Sequence, residues 1–248
     1  MRRKKNLKQL LNLSVLDCTN RNIKVGDLDM PYLTCSAVPD VDYLASYRFP
    51  SMYHYTDNTC VEFFDYDSHF DGLHGLWNGI YYGIADIQDY YRKRFETVRL
   101  FISPDYSKCG DVPLVENLYR QYKSRIVSNW LTLNTSAVVI PLVSCPLVSY
   151  LPFALDGMQD ARTVAFSTTG ALAEKEQLKI LQISVEYAIS RLPELREIVV
   201  NTTSPDVAKV RQLFKSATAK GIRIEIPLNT LMQRHIALRN GEADGDNE

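Results

Sequence analysis

Four apolar runs in this chain end abruptly in small polar residues, and a fifth, shorter one does the same. Leu100 to Ile102 passes into Ser103-Pro104-Asp105-Tyr106-Ser107, Val61 to Phe64 into Asp65-Tyr66-Asp67, Val138 to Val143 into Ser144-Cys145, and Val164 to Phe166 into Ser167-Thr168-Thr169-Gly170. The fifth is Ile198 to Val200, which passes into Asn201-Thr202-Thr203. Between the runs, apolar residues recur at helical spacing: Val115, Leu118, Tyr119, Tyr122, Ile126 and Trp130; then Leu178, Leu181, Val185, Ala188, Ile189 and Leu192; then Val207, Val210, Phe214 and Ala217. Ser204-Pro205-Asp206 is a helix start, with Ser204 as cap and Pro205 at the first position, and Gly221 ends that helix before a strand over Ile222 to Ile226.

Strand and helix in alternation demand right-handed crossovers and a mostly parallel sheet covered by helices. About six strands are counted from Val61 to Ile226, with one or two more near Tyr32 to Val38 or earlier. The expected fold is α/β with a mostly parallel sheet, arranged as a barrel-like or incomplete (β/α) barrel, the alternative being an open doubly wound sheet. A length of 248 residues suits one such domain: residues 1–59 as an N-terminal extension packed on the core, 60–239 as the α/β core, and 240–248 as an acidic disordered tail.

In parallel α/β folds ligands bind beyond the carboxyl ends of the strands, so the polar exits should converge on one site. Asp65, Asp67, His69 and Asp71 alternate, and in an extended chain all four would face one side. Carboxylate with imidazole suits a divalent metal, with Asp67, His69 and Asp71 as ligands. The competing reading is a strand running out into a solvated loop with Asp71-Gly72 as a turn. Pro104 fixes the exit of its strand and would hold Asp105 at the sheet edge, whereas Asp111 reads as a helix cap. Asp65, Asp67 and Asp105 are thus the candidate acid/base groups, with Tyr106, Ser144, Thr168 and Asn201 as candidate binding groups, and Asp67 and Asp105 should reach the same ligand. The bland reading of all these is turn formation and packing.

Composition narrows the classes. A formal net charge of −1 supplies no global field for nucleic acid, and the four cations from Arg2 to Lys5 are the one basic cluster that could touch a phosphate backbone. There is no Gly-x-Gly-x-x-Gly turn, no Walker-type loop and no Gly-x-Ser-x-Gly elbow. Cys145 has no histidine tied to it by position, and five scattered cysteines without a CxxC pair suit reduced thiols in a cytoplasm. No apolar run approaches the ~20 residues of a membrane helix.

Phe63-Phe64-Asp65-Tyr66-Asp67 with Phe70 and Trp77, Ser103-Pro104-Asp105-Tyr106-Ser107 with Asp111 and Pro113, the Tyr119 to Arg125 segment, Val139-Ile140-Pro141, and Phe153 to Gly157 followed by Val164 to Gly170 occur in an order that resembles the bacterial and prophage family called domain of unknown function forty-four seventeen. The family pattern has adjacent aspartates where Tyr66 separates two here, and an aromatic residue at Cys145. The resemblance implies a mobile-element setting and carries no activity. From the residues, the expectation is a hydrolase-like enzyme with an acidic, metal-assisted strand-end pocket, acting on a substrate such as a phosphoester. The alternative is a non-catalytic module that binds nucleic acid or protein through the basic start or through Tyr81, Tyr82, Tyr90 and Tyr91.

Overall fold

The computed structural model describes residues 24–241. The strands are β1 (Tyr43–Ser46), β2 (Thr59–Glu62), β3 (Leu100–Ile102), β4 (Val138–Ile140), β5 (Thr163–Ser167), β6 (Glu197–Asn201), β7 (Arg223–Glu225) and β8 (Leu228–Asn229). Every ladder is parallel, in a five-stranded sheet ordered β4-β3-β2-β1-β8 and a three-stranded sheet ordered β5-β6-β7. The two sheets join where β4 runs on: the Ala165 amide donates to the Pro141 carbonyl at 2.8 Å and the Val143 amide to the Ala165 carbonyl at 2.9 Å. On the far side no ladder pairs β7 with β8 among the described residues; the chain passes from one to the other through Ile226-Pro227, and Arg223 donates to Asp40 at 2.7 Å just before β1. Among the described residues the ladder therefore stops at β7, and the architecture is an incomplete ring of parallel strands rather than a closed barrel.

The helices are α1 (Asp67–Phe70), α2 (Leu76–Tyr81), α3 (Ala85–Phe95), α4 (Leu114–Asn134), α5 (Leu151–Leu155), α6 (Lys175–Arg191), α7 (Val207–Leu213), α8 (Lys215–Thr218) and α9 (Thr230–Asn240). The first two apolar stripes become α4 and α6, whereas the third is split at Phe214 between α7 and α8. Asp206, not Ser204, caps α7: its Oδ1 accepts from the Lys209 amide at 3.0 Å, while Ser204 Oγ accepts from the Asp206 amide at 3.2 Å. Asp111 does not cap α4, whose N-cap is Pro113 with no side-chain hydrogen bond. Gly221 closes α8 with φ of +75°, as its sequence position suggests.

Tyr32 to Val38 is not a strand. Its backbone bonds elsewhere, the Leu33 amide to the Gly157 carbonyl at 2.9 Å and the Cys35 carbonyl to the Arg162 amide at 2.8 Å, and the extra strand is β1, a few residues later. Arg2 to Lys5, Cys18 and residues 242–248 lie outside the described residues.

Strand alternation sorts the core. Leu44, Cys60, Leu100, Ile102, Ile140, Leu142, Ala165 and Val199 form one cluster enclosed by the strands. Their alternate neighbours face the helices: Tyr43, Ala45, Val61, Phe101 and Val139 in one cluster, Val164, Phe166, Ile198 and Val200 in another. Phe63 anchors the exit of β2, its ring centroid 5.3 Å from Tyr47, 5.8 Å from Phe70 and 6.1 Å from Phe101. Burial of such a ring stabilises by about 1.5–3 kcal/mol, which fixes where the following polar residues emerge. No helix among the described residues is long and apolar enough to cross a membrane.

Candidate functional site

On four of the strands the residue two beyond an enclosed apolar one is polar. Ser46 follows Leu44, Glu62 follows Cys60, Ser167 follows Ala165 and Asn201 follows Val199; Ser46 is in register with Glu62, and Ser167 with Asn201. By alternation these four share the inward direction and form a polar layer over the apolar interior. Above it, at the carboxyl ends of the strands, opens a cavity of about 790 Å³ lined by Asp65, Asp105, Lys108, Ser144, Ser167 and Thr169 among others.

Glu62 is the strongly perturbed carboxyl beside this cavity. It is only 8% exposed. Burial pushes its carboxyl up to about 7, the negative charges of Asp65 and Asp105 push the same way, and a hydrogen bond from the Phe64 amide opposes them. Glu62 therefore keeps its proton to a pH at which an ordinary glutamate has long lost it.

Asp65 Oδ1 accepts from the Tyr66 amide at 2.8 Å and lies 2.8 Å from His69 Nδ1. Its Oδ2 is buried and accepts no hydrogen bond, although Arg48 Nε stands 3.4 Å away as an ion-pair partner. Asp105 Oδ1 faces Lys108 Nζ at 3.4 Å, and that ammonium also donates to the Tyr106 carbonyl at 3.0 Å. Across the cavity, Asn201 Nδ2 donates to Ser167 Oγ at 3.3 Å and to Thr169 Oγ1 at 3.5 Å, and the Thr169 amide donates to Ser167 Oγ at 3.2 Å.

Of the residues singled out in the sequence, Asp65, Asp105 and Ser144 line the cavity, and Asn201 stands behind two residues that do. Asp67 is engaged elsewhere: its Oδ1 accepts from the Ser107 amide at 3.0 Å and the Ser107 hydroxyl at 2.9 Å, and its Oδ2 pairs with Arg120 at 3.0 Å. Asp65, rather than Asp67, is the aspartate that shares the cavity with Asp105. Tyr106 is buried against Phe70 at 5.1 Å, with Lys123 Nζ 4.5 Å from its ring centroid. Thr168 is buried and ties β5 to β6 by donating to Thr202 Oγ1 at 2.7 Å.

The alternation expected of Asp65, Asp67, His69 and Asp71 does not survive, because the chain coils into α1 instead of staying extended. The His69 amide donates to the Tyr66 carbonyl at 2.8 Å and the Asp71 amide to the Asp67 carbonyl at 2.7 Å. Asp67, His69 and Asp71 then diverge to Arg120, Asp65 and Lys123. Among the described residues no three His, Cys, Asp or Glu side chains gather as a metal-holding group. Cys145 lines the cavity 3.4 Å from Ser184 Oγ, but burial raises its thiol above the ordinary range and disfavours the thiolate.

Three residues of the site escaped the sequence reading. Glu62 was hidden inside the run Val61 to Phe64; its signal is period two, since a carboxylate two residues after an inward Cys60 must itself face inward. Arg48 and Lys108 sit in exits from β1 and β3 and gave no signal at all.

A family model described as a domain of unknown function (DUF4417) matches residues 23–214. The match spans most of the 248-residue chain, and the chain belongs to that family. No curated protein and no solved structure matches the chain.

Proposed function

We propose that this protein is a hydrolase-like enzyme whose strand-end cavity works by carboxylate acid/base chemistry. The observation that carries the proposal is Glu62, a carboxyl buried in the polar layer beneath the cavity, which burial and the charges of two cavity-lining aspartates, Asp65 and Asp105, keep protonated to unusually high pH. Groups whose surroundings drive their proton affinities apart are the usual basis for assigning acid and base. In this reading Asp65 or Asp105 takes the proton of an attacking water, and Glu62, one layer below, is the proton reserve from which the leaving oxygen is protonated. Each cycle adds one water across the broken bond and returns the carboxyls to their starting protonation. The chain's own groups do not point to a metal at this place, so the proposal runs on protons. A cytoplasmic setting fits the four free cysteines among the described residues, and the family resemblance adds a mobile-element context.

The test is turnover of 4-nitrophenyl esters, phosphates and glycosides by the full chain. Activity against one class that is lost in Glu62→Gln and in Asp65→Asn, both still folded, supports the reading. Activity unchanged in both variants, or no turnover of any class, overturns it.

A second reading is a binding module. It draws on a separate concavity of about 570 Å³, which has Tyr47, Tyr90 and Arg94 in its wall, and on Tyr82 and Tyr90, whose rings are more than half exposed whereas Tyr91 is buried.

A further inference from the structure

The aspartates that line the strand-end cavity are already matched in charge. Asp65 has Arg48 and His69, Asp105 has Lys108, and the one lysine in the lining is spent on Asp105 and the Tyr106 carbonyl. A phosphate would meet Asp65, Asp105 and Glu174 with that single ammonium to hold it. At Asp65 and Asp105 a free amine would compete with cations already in place.

What remains unsatisfied is hydrogen-bonding capacity, and it is divided by wall. On the β3 side, only Oδ1 of Asp105 faces Lys108, so its Oδ2 is left to accept and this wall offers an acceptor, whereas Asp65 Oδ2 is buried against Arg48. On the β5 side, Ser167 Oγ and Thr169 Oγ1 both accept from Asn201, which leaves their protons to point away from it; this wall offers donors. At the mouth Tyr66 lines the cavity with 76% of its surface exposed, a flat apolar face beside the polar groups.

We infer that the cavity takes a neutral, polyhydroxylated ligand, a sugar unit, whose hydroxyls donate to Asp105 and accept from Ser167 and Thr169 while its carbon face covers Tyr66. A hydroxyl both donates and accepts, so one ring satisfies two walls of opposite character without bringing a charge. The inference rests on the hydrolytic reading of the same cavity and narrows its substrate to a glycoside.

Saturation-transfer NMR of the full chain with methyl glucoside, methyl galactoside, N-acetylglucosamine and xylose tests it, with glucose 6-phosphate and glucosamine as charged comparators. At least one neutral sugar should bind more tightly than either charged sugar. Tyr66→Ala, at an exposed site that folding does not need, and the near-isosteric Thr169→Val should each weaken that binding by roughly five- to tenfold. Tighter binding of the phosphorylated or amino sugar, binding of none, or binding indifferent to both variants overturns the inference. The outcomes separate from those of the hydrolytic reading. Sugar binding without turnover of a 4-nitrophenyl glycoside keeps the ligand class and removes the hydrolase, and turnover of an ester or phosphate without sugar binding does the reverse.

Discussion

Replacing Glu62 by glutamine should stabilise the protein above neutral pH and leave it nearly unchanged below pH 5. The carboxyl is raised from 4.5 to about 7. A group raised in this way contributes stability that is fully present below its unfolded value and is lost as pH rises through the folded one, because ionisation of a buried carboxyl costs more than ionisation in the unfolded chain. At ~1.4 kcal/mol per unit, a difference of about 2.5 units sets a ceiling of about 3 kcal/mol, reached only well above pH 7. Glutamine keeps an acceptor for the Phe64 amide and cannot ionise. The variant should thus gain up to ~3 kcal/mol over the parent at pH 8.5, which is roughly 6–12 °C in Tm for a chain of this size. Urea titrations of both proteins at pH 5, 6.5 and 8.5 measure this as a difference that grows with pH, in which groups common to both cancel. Arg48, His69, Asp65 and Asp105 face the same site, so Asp65→Asn, which removes a like charge, should shrink the pH-dependent part of the gain. A stability difference constant across the pH range, or one that falls as pH rises, refutes the argument. The same substitution should abolish turnover, so that stability and activity move in opposite directions.

Asp67→Ala removes the acceptor for two Ser107 donors and the partner of Arg120, and should cost about 1–2 kcal/mol in a denaturant titration while loosening the loop that carries Asp105. Arg223→Ala strips the cation, 2.6 Å away, from fully buried Glu197; Arg223 is itself 39% exposed, so the cost should be about 2–3 kcal/mol rather than the full figure for a buried pair. That loss should be greatest at alkaline pH and recover on acidification, since burial already raises Glu197 and protonation removes the unpaired charge. Gly157→Ala should lower stability by about 2 kcal/mol or more, because the residue has φ of +73° and a Cβ would stand 3.0 Å from the Met30 carbonyl oxygen. Thermal melts of these variants check each value, and a Gly157→Ala protein as stable as the parent would sink the last.

What the sequence disclosed and what it withheld follow from range. Apolar runs and helical stripes are local, so β2 to β7, α4 and α6 are readable from spacing alone, and the parallel sheet with its strand-end cavity follows from their alternation. The Asp67 to Asp71 segment was misread because its pattern fits a strand and a helical turn equally. What selects the turn is pairing with Ser107, Arg120 and Lys123, on segments some forty to fifty residues away. Glu62 was legible in principle, but only once Cys60 was known to face inward. β1 lay hidden in a Pro-containing stretch where a four-residue strand gives too short a period to detect.

The two buried glutamates on the strands make an internal comparison. Glu197 begins β6 at the amino end, and Glu62 ends β2 at the carboxyl end. Both are desolvated, and burial raises both. At the amino end the chain answers with Arg223 at 2.6 Å and the Thr163 hydroxyl at 3.1 Å, the arrangement expected where a buried charge serves only the fold. At the carboxyl end Glu62 has one backbone amide to favour its ionisation and two further carboxylates, Asp65 and Asp105, that oppose it. A stability-only design would replace Glu62 with an apolar residue or give it a cation, since either is less costly. The cost is retained at the end that opens on the cavity, beside Asp65 and Asp105. Strain placed at a strand terminus facing a pocket is what acid/base chemistry requires, and it is the physical reason for reading this end as the working one.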